Sequence, residues 1–215
     1  MNIPEWHVPY TASGEIRDLL AWDWDSIPAL PPLRLVENGA PAVQQTCCRM
    51  CWDEQSLYVR FDCDDRDIWS TWTNHDDPIY DEEAVELFIS PGAETPTTYY
   101  EFEINPNAVV FDALIDNPTA QRRDLYADQA WDCQGLRVCV ERDDPHQRWV
   151  AIIAIPWAQI APDQDLPRVW RANLCRIERP RDASPEFSCW SPTSTRPADF
   201  HRPEVFGRLV LVQAH

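Results

Sequence analysis

Between residues 80 and 106 two acidic, aromatic-flanked segments follow one another, with carboxylates and rings recurring at a spacing of two. Side chains of an extended strand alternate between faces. Val85, Leu87 and Ile89 therefore enter a core together while Glu86 and Phe88 look the other way. In the second segment Tyr100, Phe102 and Ile104 share one face, and Tyr99, Glu101, Glu103 and Asn105 share the other. Rings and carboxylates on a common face suit a neutral polyhydroxylated ligand. The C–H face of a sugar ring buries against an aromatic side chain, while its rim of hydroxyls needs oriented donors and acceptors.

The same acids allow a second chemistry. Glycoside hydrolysis uses two carboxylates, and Glu101 and Glu103 on one strand face would stand roughly 6 to 7 Å apart, inside the range such enzymes use. Any alternating acidic strand gives this spacing. No Ser-His-Asp signature, phosphate loop or His-Glu-x-x-His motif accompanies it, so non-catalytic binding is the expectation. Among metal ligands, Cys48 and Cys51 form a Cys-x-x-Cys pair beside Cys47, but a structural zinc site takes four ligands and usually a second close pair. Free buried thiols are expected instead. Asp62, Asp64 and Asp65, with Asp76 and Asp77 further on, are hard oxygen donors of the kind calcium prefers, although no glycine-centred calcium loop holds them.

Such residues need strands to position them. Alternation and turn signals predict strands over residues 42–51, 57–63, 84–90, 98–105, 109–115, 136–142, 149–156, 170–178 and 208–213. Short strands without long helices between them imply an all-β fold, an antiparallel β-sandwich or jelly roll with short helical turns. The helical pieces are a short helix over residues 15–22, capped by Ser13, and a single turn over residues 157–160. Residues 180–203 read as a long ordered loop, and loops of that length are often functional. The 215 residues suit one domain spanning residues 1–215. Of the eleven tryptophans, Trp52, Trp149 and Trp170 lie in or beside strand patterns and are expected in the core, leaving Trp72 and Trp190 as spare ring platforms in loops.

The net charge of −18 argues against a nucleic-acid partner, whose phosphates are neutralised by lysine and arginine, and disfavours anionic membranes. No apolar run approaches the roughly 20 residues that span a bilayer, so no membrane insertion is expected. The amino terminus lacks the positive start and apolar run of a secretory signal, which points to the cytoplasm, with a mature secreted form as the alternative.

The order of segments resembles the family 9 carbohydrate-binding modules, whose β-sandwich is related to DOMON-type sugar- and haem-binding folds. The segments are Cys51-Trp52-Asp53-Glu54-Gln55-Ser56-Leu57-Tyr58-Val59, residues 81–89, residues 99–106, the strand over 149–156, Trp190-Ser191-Pro192 and residues 200–207, so the likeness covers about residues 42–212. The resemblance implies a non-catalytic module gripping a mono- or oligosaccharide between two rings, with carboxylates and amides on its hydroxyls. The rings fall on Tyr80 and Phe200 and a family carboxylate on Glu86. The position of a sugar-binding arginine in the best-described modules falls on Glu103, a departure that bears on the family's preference for reducing ends of glucans. Asn105, Asn173, Arg176 and His201 would complement these from adjacent strands and the closing loop. No cofactor is required by this reading. Structural calcium at Asp62, Asp64 and Asp65 is an implied companion, and haem on Met50 with His75 or His201 is an alternative borrowed from the wider fold.

Overall fold

A computed structural model describes residues 3–12, 16–162 and 165–213 of the chain. In chain order its strands are β1 (Glu5–Pro9), β2 (Arg34–Leu35), β3 (Thr46–Trp52), β4 (Ser56–Asp64), β5 (Ala84–Pro91), β6 (Thr98–Ile104) and β7 (Val110–Asp116). They continue as β8 (Tyr126–Asp128), β9 (Arg137–Asp143), β10 (Arg148–Pro156), β11 (Val169–Glu178), β12 (Glu186–Cys189) and β13 (Gly207–Val212). Two sheets result. The larger runs β1-β13-β11-β5-β6-β7-β8, with β12 pairing β11 and carrying β2; the smaller runs β3-β4-β10-β9. Among the described residues, all the pairings between these strands are antiparallel except that of β1 with β13. The all-β sandwich read from the alternation is the fold observed.

The alternation places the core. Val85, Leu87 and Ile89 of β5 and Phe102 and Ile104 of β6 join Met50, Val59, Trp149 and Ile153 of the smaller sheet in the main apolar cluster. The opposite face of the larger sheet is also covered: Phe88, Tyr99, Phe111 and Ile177 pack with Phe200 and Phe206 from the carboxy-terminal segment. A third cluster covers the outside of the smaller sheet, where Ile16, Leu19, Trp24 and Ile27 lie on Cys51, Tyr58 and Ile152. Trp24 anchors that segment by donating its indole N–H to the Leu19 carbonyl at 2.8 Å. Ser13 and Glu15 lie outside the described residues, and residues 16–22 form bends and turns rather than the remainder of a helix.

Each of the nine predicted strands is present, and the turn after Pro156 is the helix Trp157–Ile160. The short strands β1, β2, β8 and β12 were not legible from local pattern; β12 lies within the segment read as a loop. Two to five residues carry little periodicity, and these segments extend a sheet only because a neighbour offers its edge. Among the described residues no helix is long and apolar enough to cross a membrane. Trp190, a spare ring candidate, is only 4% exposed and lies against Gly207.

That contact yields a stability test. A Cβ added at Gly207 would enter the Trp190 ring and stand 3.0 Å from the Pro4 carbonyl oxygen. Overpacking of this kind costs about 1–3 kcal/mol. Urea unfolding of Gly207→Ala is expected to show a loss in that range, with part recovered when Trp190→Phe is added; an unchanged midpoint would mean the indole moves freely.

Candidate functional site

Register across the larger sheet builds the site. Cys175 of β11, Glu86 of β5, Glu103 of β6 and Phe111 of β7 are successive cross-strand partners, so their side chains rise from one row on the outer face. Glu101 stands two residues from Glu103 on the same face. Around this row lies a cavity of about 520 Å³ lined by Tyr80, Glu86, Glu101, Glu103, Phe200 and His201, with Arg122 and Asp199 among its further lining residues. Tyr80 rides on the single helical turn Ile79–Asp81 and meets Phe111 edge-on, with ring centroids 5.6 Å apart. Phe200 packs on Phe88 and Phe187 at 6.4 and 6.3 Å. The two rings differ in access: Tyr80 is 36% exposed and Phe200 only 7%.

Three acids form the floor. One carboxylate oxygen from each of Glu86, Glu101 and Glu103 lies within 4.8 Å of the others, and all three residues are buried. Burial comes first among the causes that push each carboxyl upward, and their mutual repulsion adds to it for Glu86 and Glu103. Glu101 is raised to about 8, held back by its hydrogen bond with Glu103 and by the Arg122 charge. The bond between Glu101 and Glu103 lowers the first and raises the second, so the proton resides on Glu103. At neutral pH the floor therefore carries protonated carboxyls, which donate as well as accept.

His201 completes this chemistry. Its Nδ1 lies 3.0 Å from the Tyr99 hydroxyl, which accepts from Asn117 Nδ2 at 3.2 Å and so has its own proton to give to the imidazole. Burial depresses the ring to about 4, leaving it neutral with its proton on Nε2. Nε2 faces Glu101 Oε1 at 3.7 Å, beyond hydrogen-bond length, so each can turn to a ligand group in the cavity. At the mouth Arg122 and Asp199 approach to 3.4 Å.

The structure brings together Tyr80, Glu86, Glu103, Phe200 and His201 from the sequence-derived set and leaves the others outside the cavity lining. Asn105 ties down the turn after β6: its Oδ1 accepts from Asn107 and Val109 N–H, and its Nδ2 donates to Ser70 Oγ at 2.8 Å. Asn173 is paired with the Ser191 backbone through both ends of its amide. Arg176 has the parity of Val85, its cross-strand partner, and so faces the sandwich interior, where it meets Asp65 and Glu178 and lies 5.9 Å from the Trp149 ring centre. Asp62 pairs with Arg49 and Arg60, Asp64 with Arg148 and Asp65 with Arg176, so the three expected calcium ligands are held by different guanidiniums and share no ligand group. These residues therefore do not fit a common calcium site. Met50 lies between the sheets while His201 lines the outer cavity, so the two do not flank one space. Glu101, Arg122 and Asp199 are lining residues absent from the sequence-derived site. The parity of β6 marks Glu101, whereas Arg122 and Asp199 arrive on segments with no periodic signal.

A family model described as carbohydrate-binding family 9 matches residues 37–211. An extracellular protein of Arthroderma benhamiae is 28% identical over 175 residues, which cover 78% of this chain and 79% of the relative. Among solved structures, a Bacteroides uniformis protein named for carbohydrate binding superposes with a TM-score of 0.78 at 15% identity, covering 98% of this chain and 100% of that one. A family 9 carbohydrate-binding module from Caldicellulosiruptor kristjanssonii in complex with glucose gives a TM-score of 0.67 at 13% identity, covering 98% and 97% of the two chains. The module from that organism in complex with cellotriose gives 0.64 at 14% identity, covering 98% and 95%.

The raised acids make stability fall with pH. Glu101 is protonated in both folded and unfolded chains below its usual 4.5; above that value the unfolded chain loses its proton while the folded chain keeps it until about 8. The stabilisation is therefore complete below pH 4.5 and lost progressively up to about pH 8. Glu178, raised to about 7, contributes over part of the same window. Urea unfolding measured across this window is expected to show a smaller decline for Glu101→Gln than for wild type. Parallel declines would show that Glu101 titrates normally.

Proposed function

This chain belongs to carbohydrate-binding family 9, and from that membership we propose that it binds a neutral mono- or oligosaccharide, without cleaving it, in the cavity between Tyr80 and Phe200. The observation that carries this reading is the union of an apolar wall with a floor of three buried, partly protonated carboxyls in a cavity of about 520 Å³. That volume falls among small-molecule pockets, which span about 300–1,000 Å³. Tyr80, the more open ring, takes the C–H face of the sugar, and Phe200 closes the opposite wall. Glu86, Glu101 and Glu103 give and accept hydrogen bonds, and His201 donates from Nε2. Each buried polar contact discriminates against ligands that lack the matching hydroxyl, because the protein group would then stand unpaired.

The acids' positions support binding without hydrolysis. Hydrolysis needs two carboxyls standing apart on either side of the scissile bond, about 5–9.5 Å across. Glu101 and Glu103 instead bond to each other on one strand face. The Caldicellulosiruptor complexes make glucose and cellotriose the first ligands to try. By titration calorimetry, wild type is expected to bind at least one of them saturably, with Tyr80→Ala and Glu86→Ala each weakening affinity about tenfold or more, which corresponds to about 1.4 kcal/mol. Absence of binding across a wider sugar panel, or affinities untouched by both changes, would overturn the assignment.

A further inference from the structure

We propose that His75, Asp76, Asp112 and Asp132 form a zinc site that ties the segment before β5 to β7 and to the segment before β9. His75 Nε2 stands 3.1 Å from Asp132 Oδ1, 3.3 Å from Asp112 Oδ1 and 3.6 Å from Asp76 Oδ1. One ring N–H satisfies one acceptor, and the hydrogen bond goes to Asp132. Two carboxylate oxygens remain beside the same nitrogen. Asp112 is 1% exposed and its Oδ1 accepts no hydrogen bond, while its Oδ2 is already taken by the Cys133 N–H at 2.6 Å. Asp76 Oδ1 is likewise buried without a hydrogen-bond partner. Confining carboxylate oxygens that receive no hydrogen bond near one another, with one imidazole between them, is costly, and a divalent cation among them turns that repulsion into attraction.

Geometry and ligand type select the ion. The ligand atoms of His75, Asp76 and Asp132 lie within 4.8 Å of one another, and Asp112 supplies a fourth oxygen to the same nitrogen's surroundings. Neighbouring ligands on a tetrahedral ion with bonds of about 2.0–2.2 Å stand roughly 3.3–3.6 Å apart, close to the 3.1, 3.3 and 3.6 Å that separate His75 Nε2 from the three carboxylate oxygens; Asp112, outside the closest group of three, would draw in on the ion. Calcium takes oxygens almost alone, whereas an imidazole with carboxylates suits zinc. A cavity of about 400 Å³, lined by His75, Asp112, Asp132 and Cys133 among others, gives the ion access. The ligands are also held in place. Asp76 has left-handed backbone, with φ of 62°, and its N–H donates to the Val110 carbonyl at 3.0 Å. Asp112 is the cross-strand partner of Phe102, a core residue, so this cluster lies across the sheet from Glu103 and Phe111 and shares no lining residue with the larger cavity.

The test uses the full chain stripped of metal with a chelator and titrated with zinc ion in the absence of sugar. Wild type is expected to take up one equivalent saturably with a rise in thermal midpoint, and cobalt ion in the same site to give a visible ligand-field spectrum. His75→Ala, at a half-exposed side chain, and Asp132→Asn should each weaken zinc binding at least tenfold, whereas Tyr80→Ala, in the other cavity, should leave it unchanged. No saturable zinc uptake by wild type would overturn the site and leave an ion-paired histidine. Uptake unaffected by both ligand changes would place the zinc elsewhere, on thiols for instance, and calcium bound in preference to zinc and indifferent to His75→Ala would refute the ligand set.

Discussion

Both faces of the larger sheet are covered, and this constraint governs the rest of the molecule. Every residue from Ala84 to Ser90 on β5 is buried, so alternation here sorts side chains between two covered compartments and not between core and open surface. Val85, Leu87 and Ile89 meet the smaller sheet; Glu86 and Phe88 enter the space under the carboxy-terminal segment. A carboxyl on such a strand is largely withdrawn from solvent. It must find a cation, share a proton or stay neutral, because a lone buried charge is too costly to keep.

The fold uses different answers on the two faces. Inside the sandwich, Arg176 gathers Asp65 and Glu178, donates to the Asp64 carbonyl at 2.7 Å, and shares Asp65 Oδ2 with the Trp149 indole. Even there the balance is not fully charged: burial raises Glu83, beside this group, to about 10. In the outer cavity the nearest cations are peripheral, Arg122 at the mouth and Arg179 stacked 5.1 Å from the Phe187 ring centre, so the acids respond by protonation. The residue at 103 decides the character of this floor. A guanidinium there would keep Glu86 and Glu101 ionised and acceptor-only; a glutamate instead shares its proton with Glu101 and leaves a floor able to donate and accept. That arrangement suits a ligand whose groups are hydroxyls, each both donor and acceptor.

Parity explains how much of this was legible in the sequence. The run from Tyr80 to Ile104 alternates cleanly, and each strand read from such alternation is present, with Glu86, Glu101 and Glu103 on the face assigned to them. Arg176 shows where local reading stops. Its strand is buried from Trp170 to Glu178, so no exposure rhythm tells which face it takes; only the register with Val85 does, and register is a tertiary fact. Asn105 and Asn173 are hydrogen-bonding residues on the expected strands, but their partners lie in loops 35 and 18 residues away. The acidic run at residues 62–65 fails as a ligand group for a related reason: Asp62, Asp64 and Asp65 answer to arginines from four different segments.

Those two asparagines nonetheless act on the cavity from outside it. Asn105 holds Ser70, whose hydroxyl donates to Glu82 at 2.8 Å while the Thr71 N–H donates to the same oxygen at 2.7 Å. Glu82 adjoins the helical turn bearing Tyr80, so the turn after β6 fixes one ring-bearing wall. Asn173 holds the Ser191 backbone, and the Ser191 hydroxyl reaches the Val205 carbonyl at 2.6 Å, closing the segment that carries Phe200 and His201 back onto the sheet. Each wall is thus positioned by an amide buried in the scaffold. Rings fixed in this way lose little freedom when a ligand arrives, and binding energy that would be spent on ordering loops is left for contact with the sugar.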